Sequence, residues 1–260
     1  MSTLELETML CEVDGPLARL RLNRPQVLNA ANRAWVQDLV TATDYLARSA
    51  GTRVVLVSGE GRAFSSGMDT KELARENITV DWFETWERGV TALAELNAIT
   101  IAAIQGYCLG GGLQLALACD LRIASTDAIF SIPAVKEGVA ALIATVRLAR
   151  LIGAAAAKEL CLLGRRFSAE QALSLHLITE AVPPAMLEER ALAMAQELLS
   201  IPFLALLYTK RQIDRAFDPD IATFQNEMTA VYEDCLRSPE HAAVKAELMA
   251  RQKKRSDRQQ

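Results

Sequence analysis

Two glycine-bearing segments hold the residues best suited to chemistry in this chain. The first reads Ile104-Gln105-Gly106-Tyr107-Cys108-Leu109-Gly110-Gly111-Gly112-Leu113-Gln114: an apolar strand pattern that passes through three successive glycines into an apolar helix pattern. Without Cβ atoms the main chain can approach a ligand closely, and the first N–H groups of a helix lack intrahelical acceptors and carry partial positive charge. Such a turn suits a negatively charged group; a tight turn that uses glycine only for packing is the alternative. The second segment, Gly61-Arg62-Ala63-Phe64-Ser65-Ser66-Gly67-Met68-Asp69-Thr70-Lys71, again leaves a strand through small residues and enters a helix, with a cation close by. Two such turns aimed at one carbonyl oxygen would stabilise the negative charge developing on it, as an oxyanion hole does.

Other motifs fit less well. A dinucleotide-binding G-x-G-x-x-G would need a third glycine where Leu115 stands after Gly110 and Gly112, and Walker A spacing is absent. Asp120 reads as a helix-end or turn residue, Tyr107 as packing, and His176 and His241 as structural, so no Ser-His-Asp triad can be assembled.

The elements that must position the two loops can be read from periodicity. Leu4–Val13 and Leu17–Leu22, parted by Asp14-Gly15-Pro16, predict two strands of a hairpin. Asn29 or Asn32 is suited to cap a helix whose apolar face is Trp35, Val36, Leu39, Val40, Thr43 and Leu46. A strand at Arg53–Ser58, a long helix ending near Leu96 and a strand at Ile99–Ile104 follow. After the glycine triplet come a helix at Leu113–Cys119 and short strands at Leu121–Ala124 and Ala128–Ser131, making two loose ββα cycles. From about Pro133 strand signals fade, and Ser168, Pro184, Pro202 and Pro239 mark helix starts. We therefore expect a core over residues 1–195 and a helical region over 196–260 that covers the core or a neighbouring subunit.

Composition limits the function classes. The chain has 260 residues, 51% of them hydrophobic and 23% charged, which is globular, and a net charge of -4 that gives no general attraction to nucleic acid. Cys11, Cys108, Cys119, Cys161 and Cys235 are odd in number and without CxxC spacing, and with only two histidines they suggest neither a metal site nor a disulfide framework. A reducing cytoplasm is the expected setting. Glu5 and Glu7 stand where a signal peptide would be basic, and no stretch approaches the length of a membrane span.

At these residues the sequence resembles the crotonase (enoyl-CoA hydratase/isomerase) superfamily, from Asn23 to about Val182. The resemblance is carried by Asn23-Arg24-Pro25 with Leu28-Asn29-Ala30, Phe64 to Lys71, Gly106 to Gly112, and Arg150-Leu151-Ile152-Gly153, in order and spacing. It implies an α/β fold, a crotonase/ClpP-like spiral of ββα units followed by a C-terminal helical trimerisation region, assembled as a homotrimer or a dimer of trimers. It also implies an acyl-CoA substrate, with coenzyme A as part of that substrate and no prosthetic group. By position, Met68 and Gly111 would supply the two amides that hold the thioester oxygen. The stretch Met68, Asp69, Thr70 and Lys71 would line the coenzyme A arm, with Lys71 and Arg24 near its phosphates and Ser66 and Val27 near its adenine end.

This chain departs from the pattern at the acid/base positions. Hydratases that the sequence resembles carry one glutamate on the helix after the glycines and a second just after the next proline; here these are Gln114 and Ala134. A carboxamide can orient water but cannot take its proton at neutral pH, so the two-carboxylate addition of water is not available as usually drawn. Ala140, Ala141, Leu142, Ile143 and Ala144 offer no replacement, and Glu137 remains as a lone base or as a surface residue paired with Lys136 or solvent. Isomerisation, decarboxylation of an acyl-CoA, hydration through water held by Gln114, and a catalytically silent acyl-CoA-binding subunit are the resulting expectations.

Overall fold

The structure is a computed structural model that describes residues 1–69, 71–72, 80–217, 234, 237–243, 246 and 250. The chain opens with three strands, β1 (Ser2–Glu5), β2 (Met9–Asp14) and β3 (Leu17–Leu22), rather than the expected two. The run from Leu4 to Val13 folds back between β1 and β2, where Leu6 N donates to Met9 O at 2.9 Å. Thr8 holds this turn by donating its N–H and hydroxyl to Asp38 at 2.8 and 2.7 Å. Asp38 lies on α1 (Arg33–Arg48), so a tertiary partner decides where the strand breaks.

Of the two asparagines that could cap α1, Asn32 does so, accepting from Trp35 N at 3.0 Å. Asn29 is instead buried in the left-handed region (φ 54°), where its Nδ2 donates to Ala63 O at 2.8 Å and its Oδ1 accepts from Arg24 N at 2.8 Å. It therefore pins the second glycine loop to the turn before α1. Next come β4 (Val54–Gly59), α2 (Val80–Ala94), β5 (Ile99–Ile104), β6 (Tyr107–Leu109), α3 (Gly111–Ala118), β7 (Leu121–Ser125) and β8 (Ile129–Ser131).

Strands do not end at Pro133 as the fading signal suggested. After α4 (Leu142–Ile152) and α5 (Ala154–Leu163) come β9 (Phe167–Ser168), α6 (Ala169–Ser174) and β10 (Glu180–Val182). Two or three residues are too short to show a strand period, and these strands exist because a sheet edge is waiting for them. Among the described residues, one sheet has the order β1-β2-β3-β4-β5-β7-β10, parallel from β3 onward, and a second has the order β6-β8-β9. All six residues of β5 are buried, which is why it reads as an unbroken apolar run.

Asp120 accepts from Thr100 N and Oγ1 at 2.7 and 2.9 Å, a turn-fixing role as expected. Ser168 and Gln171 form a reciprocal capping box at the start of α6. Ser168→Ala is expected to cost about 1 kcal/mol, a fall in melting temperature of roughly 2–4 °C that calorimetry would read.

The chain divides into two units, Met1–Leu198 and Leu199–Gln260. The first holds the core and the sheets. Of the second, the described part includes α8 (Phe203–Asp214), which follows α7 (Leu187–Leu199). No single helix among the described residues is long and apolar enough to cross a membrane.

Candidate active site

Hydrogen bonds bring the two glycine loops together. Phe64 N donates to Gln105 O at 2.8 Å, Ser65 N to Tyr107 O at 3.0 Å, and Leu109 N to Ser65 O at 2.9 Å, so the loop after β4 runs beside β6. Ala31 N donates to Gly67 O at 2.8 Å and Asp69 N to Ala31 O at 2.9 Å. These bonds bracket Met68, whose own N–H makes no main-chain bond among the described residues. On the other loop, Gly110 N donates to Ser131 O at 2.8 Å, while Gly111 is the first residue of α3 and its N–H has no intrahelical acceptor.

The approach is close. Gly67 has φ +87°, and a Cβ there would lie 2.6 Å from Leu109 O and 3.1 Å from Gly111 N, so glycine is required on both counts. Met68 and Gly111 thus border one cavity of about 110 Å³. Trp82, Phe83 and Trp86 form one wall, and Ile132, Pro133, Ala134, Val139, Ala141 and Ala144 form much of the rest. Trp86 stacks on Trp35 (4.8 Å between rings) and on Trp82 (5.4 Å), so this wall is an extension of the core.

Among the sequence candidates, Met68, Gly111, Gln114, Glu137 and Ser66 all line the cavity. Glu137 sits in an exposed 3-10 turn, and the expected pairing with Lys136 is not made, because Lys136 Nζ donates to Gly164 O at 2.7 Å. Arg24, Val27, Asp69 and Lys71 are not among the lining residues. The Arg24 guanidinium donates to Ala30 O and faces Asp69 at 3.5 Å, which commits it within the protein. Asp69 also accepts from Lys71 N at 3.0 Å, the behaviour of a helix-start residue, while Lys71 is exposed and Val27 half-buried in a 3-10 turn. Thr70 lies outside the described residues. His176 occupies a turn at φ 55°, and the Arg166 guanidinium lies over the Tyr107 ring at 5.7 Å.

One residue was missed. Glu87, on α2, lines the cavity beside Gln114, whose Nε2 donates to Glu87 Oε1 at 2.5 Å. Among the described residues its second oxygen, Oε2, is buried without a hydrogen-bond partner, as is Nη1 of Arg147 on α4. Burial pushes the Glu87 carboxyl above the usual carboxylate range, opposed first by the Gln114 bond, then by the Arg147 charge and the Ile143 main chain. Burial lowers the Arg147 guanidinium too, which the charges of Glu87 and Glu95 oppose. A signal was present: Glu87 follows Trp86 and stands four residues after Phe83, at the edge of the stripe Trp82, Trp86, Val90 and Leu93. An acid bordering so aromatic a face is a candidate for burial.

Known proteins place this architecture. The family model described as enoyl-CoA hydratase/isomerase matches residues 12–253. The chain is similar to "Enoyl-CoA hydratase domain-containing protein 2, mitochondrial" of Bos taurus, 39% identical over 232 residues, covering 84% of this chain and 77% of the relative. It is also similar to "Probable enoyl-CoA hydratase echA8" of Mycobacterium tuberculosis, 35% identical over 221 residues, covering 83% and 84%. A Thermobifida fusca YX chain solved in complex with acetoacetyl-CoA superposes with a TM-score of 0.80 at 29% identity, covering 88% of this chain and 94% of that one. A match to nearly the whole length, on the fold and loops just described, makes this chain a member of the enoyl-CoA hydratase/isomerase family, within the crotonase superfamily.

Proposed function

We propose that the chain binds an acyl-CoA thioester, that the N–H groups of Met68 and Gly111 hold the thioester oxygen as it becomes an enolate, and that the reaction needs one acid/base group rather than two. The observation that carries this reading is the cavity lined by both Met68 and Gly111, with Gln114 and Ala134 where two glutamates would be needed for water addition. Acetoacetyl-CoA bound to the Thermobifida neighbour supports the ligand class. Double-bond isomerisation leads among the reactions, because a single carboxyl can remove and return one proton, while each oxyanion donor contributes about 3 to 4 kcal/mol. Coenzyme A enters as part of the substrate, and the exposure of Lys71 supports the family expectation that it meets the phosphates.

The test is a panel of saturated, 2-enoyl, 3-enoyl and malonyl-type CoA thioesters, followed by calorimetry and by mass and absorbance changes. Expected are binding that weakens as salt is raised, conversion of the 3-enoyl ester, and little hydration of the 2-enoyl ester. Retention of no thioester overturns the reading; binding without any turnover reduces it to an acyl-CoA-binding subunit.

A further inference from the structure

We infer that Glu87, seated on Gln114, is the proton-transfer group of this thioester site, and the inference rests on the reading above. In a 3-enoyl thioester its carboxylate would take the C2 proton. The C2–H electron pair then forms the C1=C2 bond of a dienolate whose charge rests on the thioester oxygen. The same carboxyl returns the proton to C4: the C3=C4 pair forms the new C4–H bond, the C1=C2 pair becomes C2=C3, and the charge on oxygen re-forms the thioester carbonyl. Proton and electrons balance, and no oxidant or water is consumed.

Three observations converge on this residue. First, two carboxyls line the cavity among the described residues, Glu87 and Glu137, and only Glu87 is drawn into the protein, between the aromatic wall and α3. Second, its oxygens are unequal: Oε1 is oriented by the Gln114 amide, whereas Oε2 is out of solvent and has no well-formed hydrogen bond among the described residues, the Ile143 main chain acting on the carboxyl only more weakly. A buried carboxyl oxygen left in that state needs a reason, and a carboxyl that alternates between acid and base has one. Third, opposing influences bear on it, with burial the larger. Arg147 faces it from α4 and favours the ionised form, burial favours the neutral form, and Glu137 shares the cavity from the 3-10 turn. Gln114 is then a positioning residue. A glutamate there would set two carboxyls within hydrogen-bond distance, where they could not both ionise.

The competing role is structural, with Glu87 only tying α2 to α3 and α4. Glu87→Gln separates the two, because a carboxamide oxygen can still accept from Gln114 but cannot carry the proton. The expected loss is about 10²- to 10⁴-fold in double-bond migration, and also in deuterium exchange at C2 of a saturated acyl-CoA in D₂O, read by mass spectrometry. Acyl-CoA affinity should stay within about threefold, since binding is not what this group supplies.

Folding gives a second readout. The folded carboxyl titrates above the unfolded one, so its contribution is full at acid pH and is lost as pH rises between the two values. Glu87→Gln should therefore melt at or above the parent near neutral pH and lose that advantage toward pH 4. Removing the opposing charge with Arg147→Met should move the basic-form limb of kcat/KM to higher pH, while Glu137→Gln leaves it in place. Parent-like exchange in Glu87→Gln, or a pH limb that moves with Glu137 and not with Arg147, overturns the inference even if thioesters bind. A parent that binds thioesters yet neither migrates the double bond nor exchanges C2 protons also overturns it, whereas failure to bind any thioester refutes the site itself.

Discussion

Gly111→Ala is expected to lower kcat/KM on the best acyl-CoA by about 10²- to 10³-fold while the chain still folds. The size follows from removing one oxyanion donor from its required position. The cause is steric: a Cβ on Gly111 would lie 2.6 Å from Trp86 Cη2 and 2.7 Å from Cζ2. Trp86 cannot swing aside, because its ring is stacked between Trp35 and Trp82. The start of α3 must move instead, and the Gly111 N–H moves with it. Stability should fall by about 1–3 kcal/mol, the range for overpacking a core, because the clash must be relieved, although the Gly111 backbone is outside the left-handed region and adds no strain of its own. Gly138→Ala is the control: it adds a Cβ with nothing within 4 Å at a φ of +73°, straining the backbone without touching an amide of the pair. Steady-state kinetics beside thermal melts would decide the matter, and parent-like turnover in Gly111→Ala would refute the role given to its N–H.

Trp35→Ala should cost about 3–5 kcal/mol, the range for deleting a large buried aromatic, and lower the melting temperature by roughly 10 °C. Trp35 is fully buried, and its ring is the inner layer of the stack Trp35–Trp86–Trp82. Its indole N–H has no hydrogen-bond partner among the described residues, so the loss is one of packing. The effect should reach the site, because the outer face of the same stack is the cavity wall and Trp86 is the surface on which Gly111 rests. We expect turnover to fall with stability in Trp35→Ala and to be largely restored in Trp35→Phe, which keeps an aromatic layer. Denaturant melts alongside kinetics would check both. A stable but inactive Trp35→Ala would mean that the stack acts on the site by some route other than packing.

The order of elements was legible because hydrophobic period and turn residues are local properties. The apolar run Ile99–Ile104, the face Trp35 to Leu46 and the two glycine loops each stand within a dozen residues and read correctly from pattern alone. What failed was non-local. The break between β1 and β2 depends on Asp38, 30 residues from Thr8, and β9 and β10 are strands only because β8 and β7 offer them an edge. The choice of Asn32 over Asn29 as cap followed from the second glycine loop needing Asn29 for itself.

The candidate site divides along the same line. That two loops expose backbone donors is legible in the sequence, because glycine spacing states where main chain is bare whatever side chains surround it; the assignment of those donors to Met68 and Gly111 comes from the family resemblance. The acid could not be placed that way. Glu87 is 27 residues from Gln114 and meets it only because α2 packs across α3, and its raised carboxyl depends on how much water that packing excludes. Glycine spacing and periodicity are written in consecutive residues; side-chain convergence and burial are sums over the whole fold, and no single stretch of chain contains them.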